Sequence, residues 1–280
     1  MPSLREQGRD ECADISSNWP SYELLGSRVH ALSISDLHAI IATEIALGNK
    51  CIIASQNLHG LYTAKRDPRM GEFYQRAKYV RIDGMPFVFW GQLLGYPIGR
   101  KHRVTWVDWL RPFLVEASQQ GWRVFYLGSQ PDIVRRGAEL LRKEAPGIQL
   151  DVEHGYFDQK PGSLENEAIV GRINSFKPNI LMVGMGMPRQ ERWILDNYDR
   201  LDVNVFLPCG ACIDYFAGVV PTPPRWMARI GLEWFSRLMA EPRRLWRRYL
   251  IEPWFLADLF LRDLITVTRR RRKRQKHSKG

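Results

Sequence analysis

Four short segments hold most of the side chains in this 280-residue chain that could do chemistry: Ser55-Gln56-Asn57, Asp83-Gly84, the run Gly184-Met185-Gly186-Met187-Pro188-Arg189-Gln190-Glu191, and Gly210-Ala211-Cys212-Ile213-Asp214. Carboxylates can accept or donate protons, and amides can orient hydroxyls. Glycine-rich backbone ahead of a helix lets a phosphate approach amide groups closely. Each segment also has a plainer reading. An aspartate before glycine is a common turn or helix cap. Gly184 to Pro188 fits a tight strand-to-helix turn, and Gly-X-Gly-X-Pro is not the dinucleotide fingerprint. His154, in Glu153-His154-Gly155-Tyr156-Phe157, could be a base but reads more simply as a hydrogen-bonding structural histidine. Cys209 and Cys212 could be redox-active or half a zinc site, yet no second pair or nearby histidine completes a metal shell. Packing of small residues in a loop accounts for them.

All four segments follow apolar, β-branched runs. The spacing predicts strands at 28–32, 50–54, 79–82, 123–127, 148–152, 179–183 and 204–207, with helices over 35–47, from 55 to 76, and over 86–94, 105–120 and 132–144 between them. Strands alternating with helices imply a Rossmann-like α/β domain with a mostly parallel sheet covered on both faces. In such sheets ligands bind beyond the carboxyl ends of the strands, which is where the four segments lie. Carboxylates, amides and glycine backbone therefore converge on one rim.

Charge divides the chain sharply. With 41 Lys+Arg against 30 Asp+Glu, the net charge is +11. Residues 225–280 alone hold 16 basic and five acidic side chains, again +11, so residues 1–224 are balanced at 25 and 25. Any anionic partner is met mainly by this end. Arg225, Arg229 and Arg237 fall on one helical stripe, with Trp226, Ile230, Trp234 and Leu238 on another. In Arg243-Arg244-Leu245-Trp246-Arg247-Arg248-Tyr249-Leu250 the arginines project to one side of a regular helix and the apolar residues to the other. Residues 254–268 are too short for a span, which needs roughly 20 residues, and contain Asp258, Arg262 and Asp263. They fit a helix lying in a membrane interface, with Trp254, Phe255, Leu259 and Phe260 dipping in. A soluble helical subdomain, or a nucleic-acid patch at Arg269 to Arg274, stays open, though no nucleic-acid fold signature accompanies the patch. The first 25 residues are polar and lack a signal-peptide core, so the body is expected to stay in the cytoplasm. The expected organisation is a loose segment 1–25, a catalytic domain 26–224, an amphipathic appendage 225–268 and a polybasic tail 269–280.

The strings VGMGMPRQERWI (183–194), CGACIDYFAGVVPTPPRWM (209–227) and GLEWFSRLMAEPRRLWRRYL (231–250) resemble the blocks of the WecG/TagA/CpsF family of bacterial glycosyltransferases. YLGSQPDIV, HGYF, RIDGMP and RVTWVDW follow in family order, so the resemblance covers about residues 28–250. It implies an inverting, metal-independent transfer from a UDP-sugar donor to a sugar on an undecaprenyl-diphosphate lipid, with no cofactor. The place implied is the cytoplasmic face of the plasma membrane, against its anionic surface, with no nucleic-acid partner; homo-oligomerisation stays open. By motif position, Asp83 corresponds to the general base. Ser55, Asn57, Arg103, Gln190 and Glu191 correspond to substrate-binding positions, with Gly184, Gly186 and Asp214 as further substrate-binding candidates from their strand ends, and Arg237, Arg244 and Arg247 would stabilise the departing diphosphate. Two departures stand near the implied acceptor pocket: Thr105-Trp106-Val107-Asp108 where the family has Thr-Gly-Ser-Asp, and Met85-Pro86 after Asp83-Gly84. They leave the sugar open between N-acetylmannosamine, its uronic acid, glucose and other hexoses.

Overall fold

A computed structural model describes residues 19–221, 227 and 231–266. Its eight strands are β1 Ser21–Leu24, β2 Ser27–His30, β3 Cys51–Gln56, β4 Tyr79–Ile82, β5 Arg123–Gly128, β6 Gln149–Glu153, β7 Ile180–Gly184 and β8 Val205–Pro208. They form one sheet in the order β1-β2-β4-β3-β8-β7-β5-β6. Only the β1/β2 pair is antiparallel; every other neighbouring pair is parallel. This is the α/β architecture expected from the alternation of strands and helices. The chain completes β3 and β4 in one half of the sheet and then crosses to β5 in the other, so β3 and β8 meet where the winding reverses.

The sheet starts earlier than the boundary at residue 26 drawn from composition. Leu25 and Gly26 both have positive φ, at 54° and 69°, and make the two-residue turn that folds β1 onto β2. Within β1 only Leu24 is buried, so apolar content gives no sign of the strand. The further divisions at 224 and 268 fall at segments outside the described residues, as does the polybasic stretch 269–280.

Alternation along the central strands builds two cores. Cys51 and Ile53 of β3, with Ile180 and Met182 of β7, face helices Ile34–Ala46, Trp106–Gln119 and Pro131–Glu144; Ile52, Ala54, Leu181 and Val183 face the opposite helices. Three caps fix where helices leave the rim. Ser33 closes a capping box with Asp36, Asn57 accepts from the Gly60 amide, and Thr105 accepts from the Asp108 amide.

The appendage comprises helices Glu233–Ala240 and Pro242–Trp246, a π-helical turn Arg247–Ile251, a 3-10 turn Glu252–Leu256 and a helix over 257–266. The π-helical turn breaks the regular projection expected after Pro242. Leu245 is buried while Trp246 and Leu250 are exposed, so the four apolar residues do not share one face. A second expectation changes as well. Leu259 and Phe260 turn toward the body, Phe260 meeting Trp90 edge-on at 4.5 Å, because Leu256, Leu259, Phe260 and Asp263 follow the spacing of one helical face. Trp254 and Phe255 do remain exposed, Trp254 by 79 %. The helical stripe through Arg225, Trp226, Arg229 and Ile230 lies outside the described residues.

The acids of this cationic end are what hold it to the body. Glu233 accepts from Arg103 at 2.7 Å, Glu252 pairs with His59 at 2.7 Å, Asp258 with Lys65 at 2.6 Å, and Asp263 accepts from the Leu25 amide at 2.6 Å and the Trp90 indole at 3.0 Å.

Candidate active site

The ends of β3 and β4 place Asp83. Gln56 lies opposite Ile82, and the Asp83 amide donates to the Gln56 carbonyl at 2.9 Å, so the carboxylate emerges as the ladder ends. Asn57 has a double task. Its Oδ1 caps helix Leu58–Arg66 while its Nδ2 donates to Asp83 Oδ2 at 3.3 Å. The Asp83 side chain is 25 % exposed, enough to meet a ligand yet held from behind. Ser55 lies opposite Arg81 on the same side of the sheet, and its carbonyl accepts from the buried Tyr74 hydroxyl at 3.1 Å.

Arg81 is a residue the motifs did not single out. Its guanidinium is 1 % exposed, lies 5.4 Å from both the Trp106 and Trp109 rings, donates to the Val104 carbonyl, and stands 3.9 Å from Asp83 Oδ1. Its Nη2 has no partner among the described residues. Burial pulls its pKa down, and Asp83 is the first of the groups that offset this. A charged residue inside the short apolar run 79–82 was the available signal. Trp106, one of the two family departures, is thus part of the wall against which Arg81 lies.

Across the switch point, Gln190 ties two loops together. Its Oε1 accepts from the Gly186 amide at 3.2 Å and the Gly210 amide at 3.0 Å, while its Nε2 donates to Glu191 at 2.7 Å. Gln190 and Glu191 are both buried, below the loop surface rather than on it. Burial pushes the Glu191 carboxyl up to about 7, against the hydrogen bond from Gln190. Tyr74 lies within the field of Glu191 and Asp83, and burial, then these two carboxylates, raises its hydroxyl well above its ordinary value. Gly184 is required by space: a Cβ there would come within 2.2 Å of the Tyr126 hydroxyl and 2.6 Å of the Gly210 carbonyl. Gly186 is required by conformation, with φ +81°. Asp214 accepts from Ser129 at 2.7 Å, which brings the end of β5 into the rim, and Ser129 itself takes a positive φ of 61°.

A cleft of about 1030 Å³ opens beside this rim, lined in part by Met85, Arg103, Trp106, Asp108, Tyr215 and Glu233. Asp83 stands two residues before Met85. Arg103 pairs with Ile82 through an isolated parallel bridge and donates to both Asp108 at 3.0 Å and Glu233 at 2.7 Å. A second hollow of about 680 Å³ lies beyond Gly186, between Tyr156, Lys160, Arg189, Arg192 and Trp193.

Of the appendage arginines, Arg237 reaches the rim. It stacks 5.1 Å from the Tyr215 ring, and its Nε is buried without a partner among the described residues. Burial opposes its charge, but Tyr215, Tyr249, Asp83 and Glu233 outweigh that and hold its pKa above the ordinary value. Arg247 is exposed, with its guanidinium 5.7 Å from the Trp246 ring. The Arg244 side chain lies outside the described residues. Among the described residues, Cys209 and Cys212 are buried, and no three His, Cys, Asp or Glu side chains gather as metal ligands do. No helix among them is long and apolar enough to cross a membrane.

The chain is similar to an N-acetylglucosaminyldiphosphoundecaprenol N-acetyl-beta-D-mannosaminyltransferase of Staphylococcus aureus strain NCTC 8325 / PS 47, 28 % identical over 208 residues, covering 71 % of this chain and 79 % of that protein. The protein of the same description from strain MRSA252 is 27 % identical over the same length. The sequence profile of the glycosyl transferase WecG/TagA/CpsF family matches residues 22–270. The motif blocks, the parallel sheet and the convergence of Asp83, Asn57 and Gln190 on its rim agree with that match, and the chain belongs to the glycosyl transferase WecG/TagA/CpsF family.

Proposed function

We propose that the protein transfers a hexose or N-acetylhexosamine from a UDP-sugar to a saccharide carried on undecaprenyl diphosphate, with inversion at the anomeric carbon. The observation that carries this reading is the placement of Asp83: a part-exposed carboxylate at a strand end, held by Asn57 and within the field of Arg237 from the appendage. In the reaction the acceptor hydroxyl oxygen attacks the anomeric carbon, its proton passes to Asp83, and the bond from that carbon to the phosphate oxygen breaks to release UDP. Arg237 is set to offset the charge that develops on the leaving diphosphate, with Arg244 and Arg247 as its proposed partners. Arg103, beside Ile82, would meet an acceptor phosphate. The turn at the end of β7, where Gly184 and Gly186 leave room for close approach, and the Ser129–Asp214 pair would seat the donor nucleotide. The Tyr156–Arg189 hollow offers its base an aromatic wall.

The lipid acceptor explains why a neutral body carries a cationic, tryptophan-rich end. An amphipathic appendage rich in Lys and Arg concentrates the enzyme on an anionic surface, which we assign to the cytoplasmic face of the plasma membrane. The test is a panel of UDP-sugars incubated with a lipid-diphosphate-sugar acceptor. Wild type should form product with one donor, and Asp83→Asn should lose at least about a thousandfold in kcat while retaining UDP binding. Full turnover by that variant removes the base assignment; RNA binding in place of any transfer removes the reading.

A further inference from the structure

Helix Met85–Leu93 begins two residues after Asp83 and carries no charged side chain in its sequence MPFVFWGQL. Its inner face is packed: Met85, Phe87, Val88 and Gly91 are buried. Gly91 lies so close to Ile98 that a Cβ would stand 2.8 Å from it. The outer face is apolar too. Pro86 is exposed, Phe89 is 49 % exposed and Leu93 60 % exposed, and their spacing of i, i+3 and i+7 makes one stripe. Leaving Phe and Leu side chains in water forgoes the gain of burying them.

Single exposed apolar residues need no explanation, but this stripe is flanked on both sides. Toward the appendage, Trp90 packs on Phe260, a Cβ on Gly231 would stand 3.6 Å from the Phe89 ring, and Trp254, Phe255 and Leu261 of the appendage are exposed. Toward the body, the 3-10 turn Arg100–His102 packs beside the helix, and Arg100 and Lys101 are exposed with no ion pair among the described residues. An apolar stripe with exposed cations beside it complements acyl chains beneath anionic headgroups.

We propose that helix Met85–Leu93 is a second membrane-inserting element, part of the catalytic body rather than the appendage, with Phe89 and Leu93 entering the headgroup–acyl boundary of an anionic bilayer. This rests on the membrane reading of the appendage and adds a fixed geometry to it. A nine-residue helix is about 13 Å long and Asp83 lies two residues before its start, adding at most about 7 Å, so an inserted Leu93 holds Asp83 within about 20 Å of the lipid boundary. An acceptor tethered by its diphosphate then presents its hydroxyl at the depth of the base.

The experiment uses the full chain and vesicles of phosphatidylglycerol and phosphatidylcholine. Wild type should sediment with the vesicles. The double substitution Phe89→Ser with Leu93→Ser should weaken that binding by about tenfold or more, because two apolar side chains no longer partition. The swap Phe89→Leu with Leu93→Phe should restore it. Thermal unfolding of the serine variant in solution, and its turnover of a water-soluble short-chain acceptor, should match wild type, since neither residue is in the catalytic group. Wild type failing to bind vesicles would overturn the membrane reading beneath the proposal. Wild type and serine variant binding equally would overturn the proposal alone, and two observations would then say what the stripe does instead. A lower oligomeric state of the variant in sedimentation velocity assigns it to a contact between copies of this chain. A loss of turnover confined to long-chain acceptors in detergent assigns it to the acceptor's own lipid.

Discussion

Arg103 donates one edge of its guanidinium to Asp108 and the other to Glu233, so the same side chain that faces the cleft also fastens the appendage to the body. Both edges are occupied by carboxylates at 3.0 and 2.7 Å. An anionic substrate reaching Arg103 therefore competes with Glu233 for it. Glu233→Gln should leave that edge less firmly held, with tryptic cleavage of the appendage becoming faster and stability falling by about 1 kcal/mol or less, because the pair is only partly buried. Arg103→Ala should cost much more in kcat/KM, about a hundredfold, because it removes the cation offered to phosphate as well as the fastening. Equal kinetic losses in the two variants would make Arg103 a tether only.

Asn57 separates folding from catalysis cleanly. Asn57→Ser retains a capping side chain and should keep stability within about 0.5 kcal/mol of wild type. It removes the amide that holds Asp83 at 3.3 Å, so kcat should fall about tenfold. Asn57→Asp also caps, but sets a second carboxylate beside Asp83, and the penalty should be larger and relieved by added salt. Steady-state kinetics with chemical denaturation on each variant decides this; a Ser variant with full kcat would show that Asp83 needs no holder.

The inner strands β3, β4, β5, β7 and β8 were legible because each buries a mostly apolar run on both faces, which a sequence displays directly. Tyr79–Ile82 emerged at its expected bounds, and β3, β5, β6, β7 and β8 within one or two residues. Their ends carried Asp83, Asn57 and Gln190 to one rim for the same reason. What stayed hidden depends on tertiary partners. Tyr74 sits mid-helix and gains its meaning only from the Ser55 carbonyl and the carboxylates around it. The inward turn of Leu259 and Phe260 was set by Trp90 and Leu25, more than 160 residues away in sequence, while their apolar character fitted lipid as well as protein.

Cys209 and Cys212 are buried behind the rim beside Arg81, and burial, then the contact with Cys212, raises the Cys209 thiol well above its ordinary value. Held up in this way, the buried Cys209 thiol is not poised as a nucleophile. Replacing both with alanine should leave activity within a few-fold of wild type, and in a Cys12→Ser background the remaining thiols should react slowly with a thiol reagent until the protein is unfolded. Abolished turnover, with folding intact, would reinstate a redox role.

Glu191 gives the rim a stability that depends on pH. Its carboxyl is raised in the fold from the ordinary 4.5 to about 7, with burial the dominant cause. The protonated form is therefore favoured in the folded state. The contribution is fully present below about pH 4.5 and is lost as pH rises through about 7, where the buried group must ionise or the loop must open. A shift of this size corresponds to something on the order of 3 kcal/mol across that window. Glu191→Gln keeps an acceptor for Gln190 Nε2 and has no proton to lose, so the clamp on the Gly186 and Gly210 amides should persist at all pH values. Thermal unfolding of the two proteins should give similar midpoints near pH 4.5 and a variant that is progressively the more stable up to about pH 7, with a constant difference above it. Parallel curves over that range would mean that water or a rearranged Gln190 already satisfies the Glu191 charge.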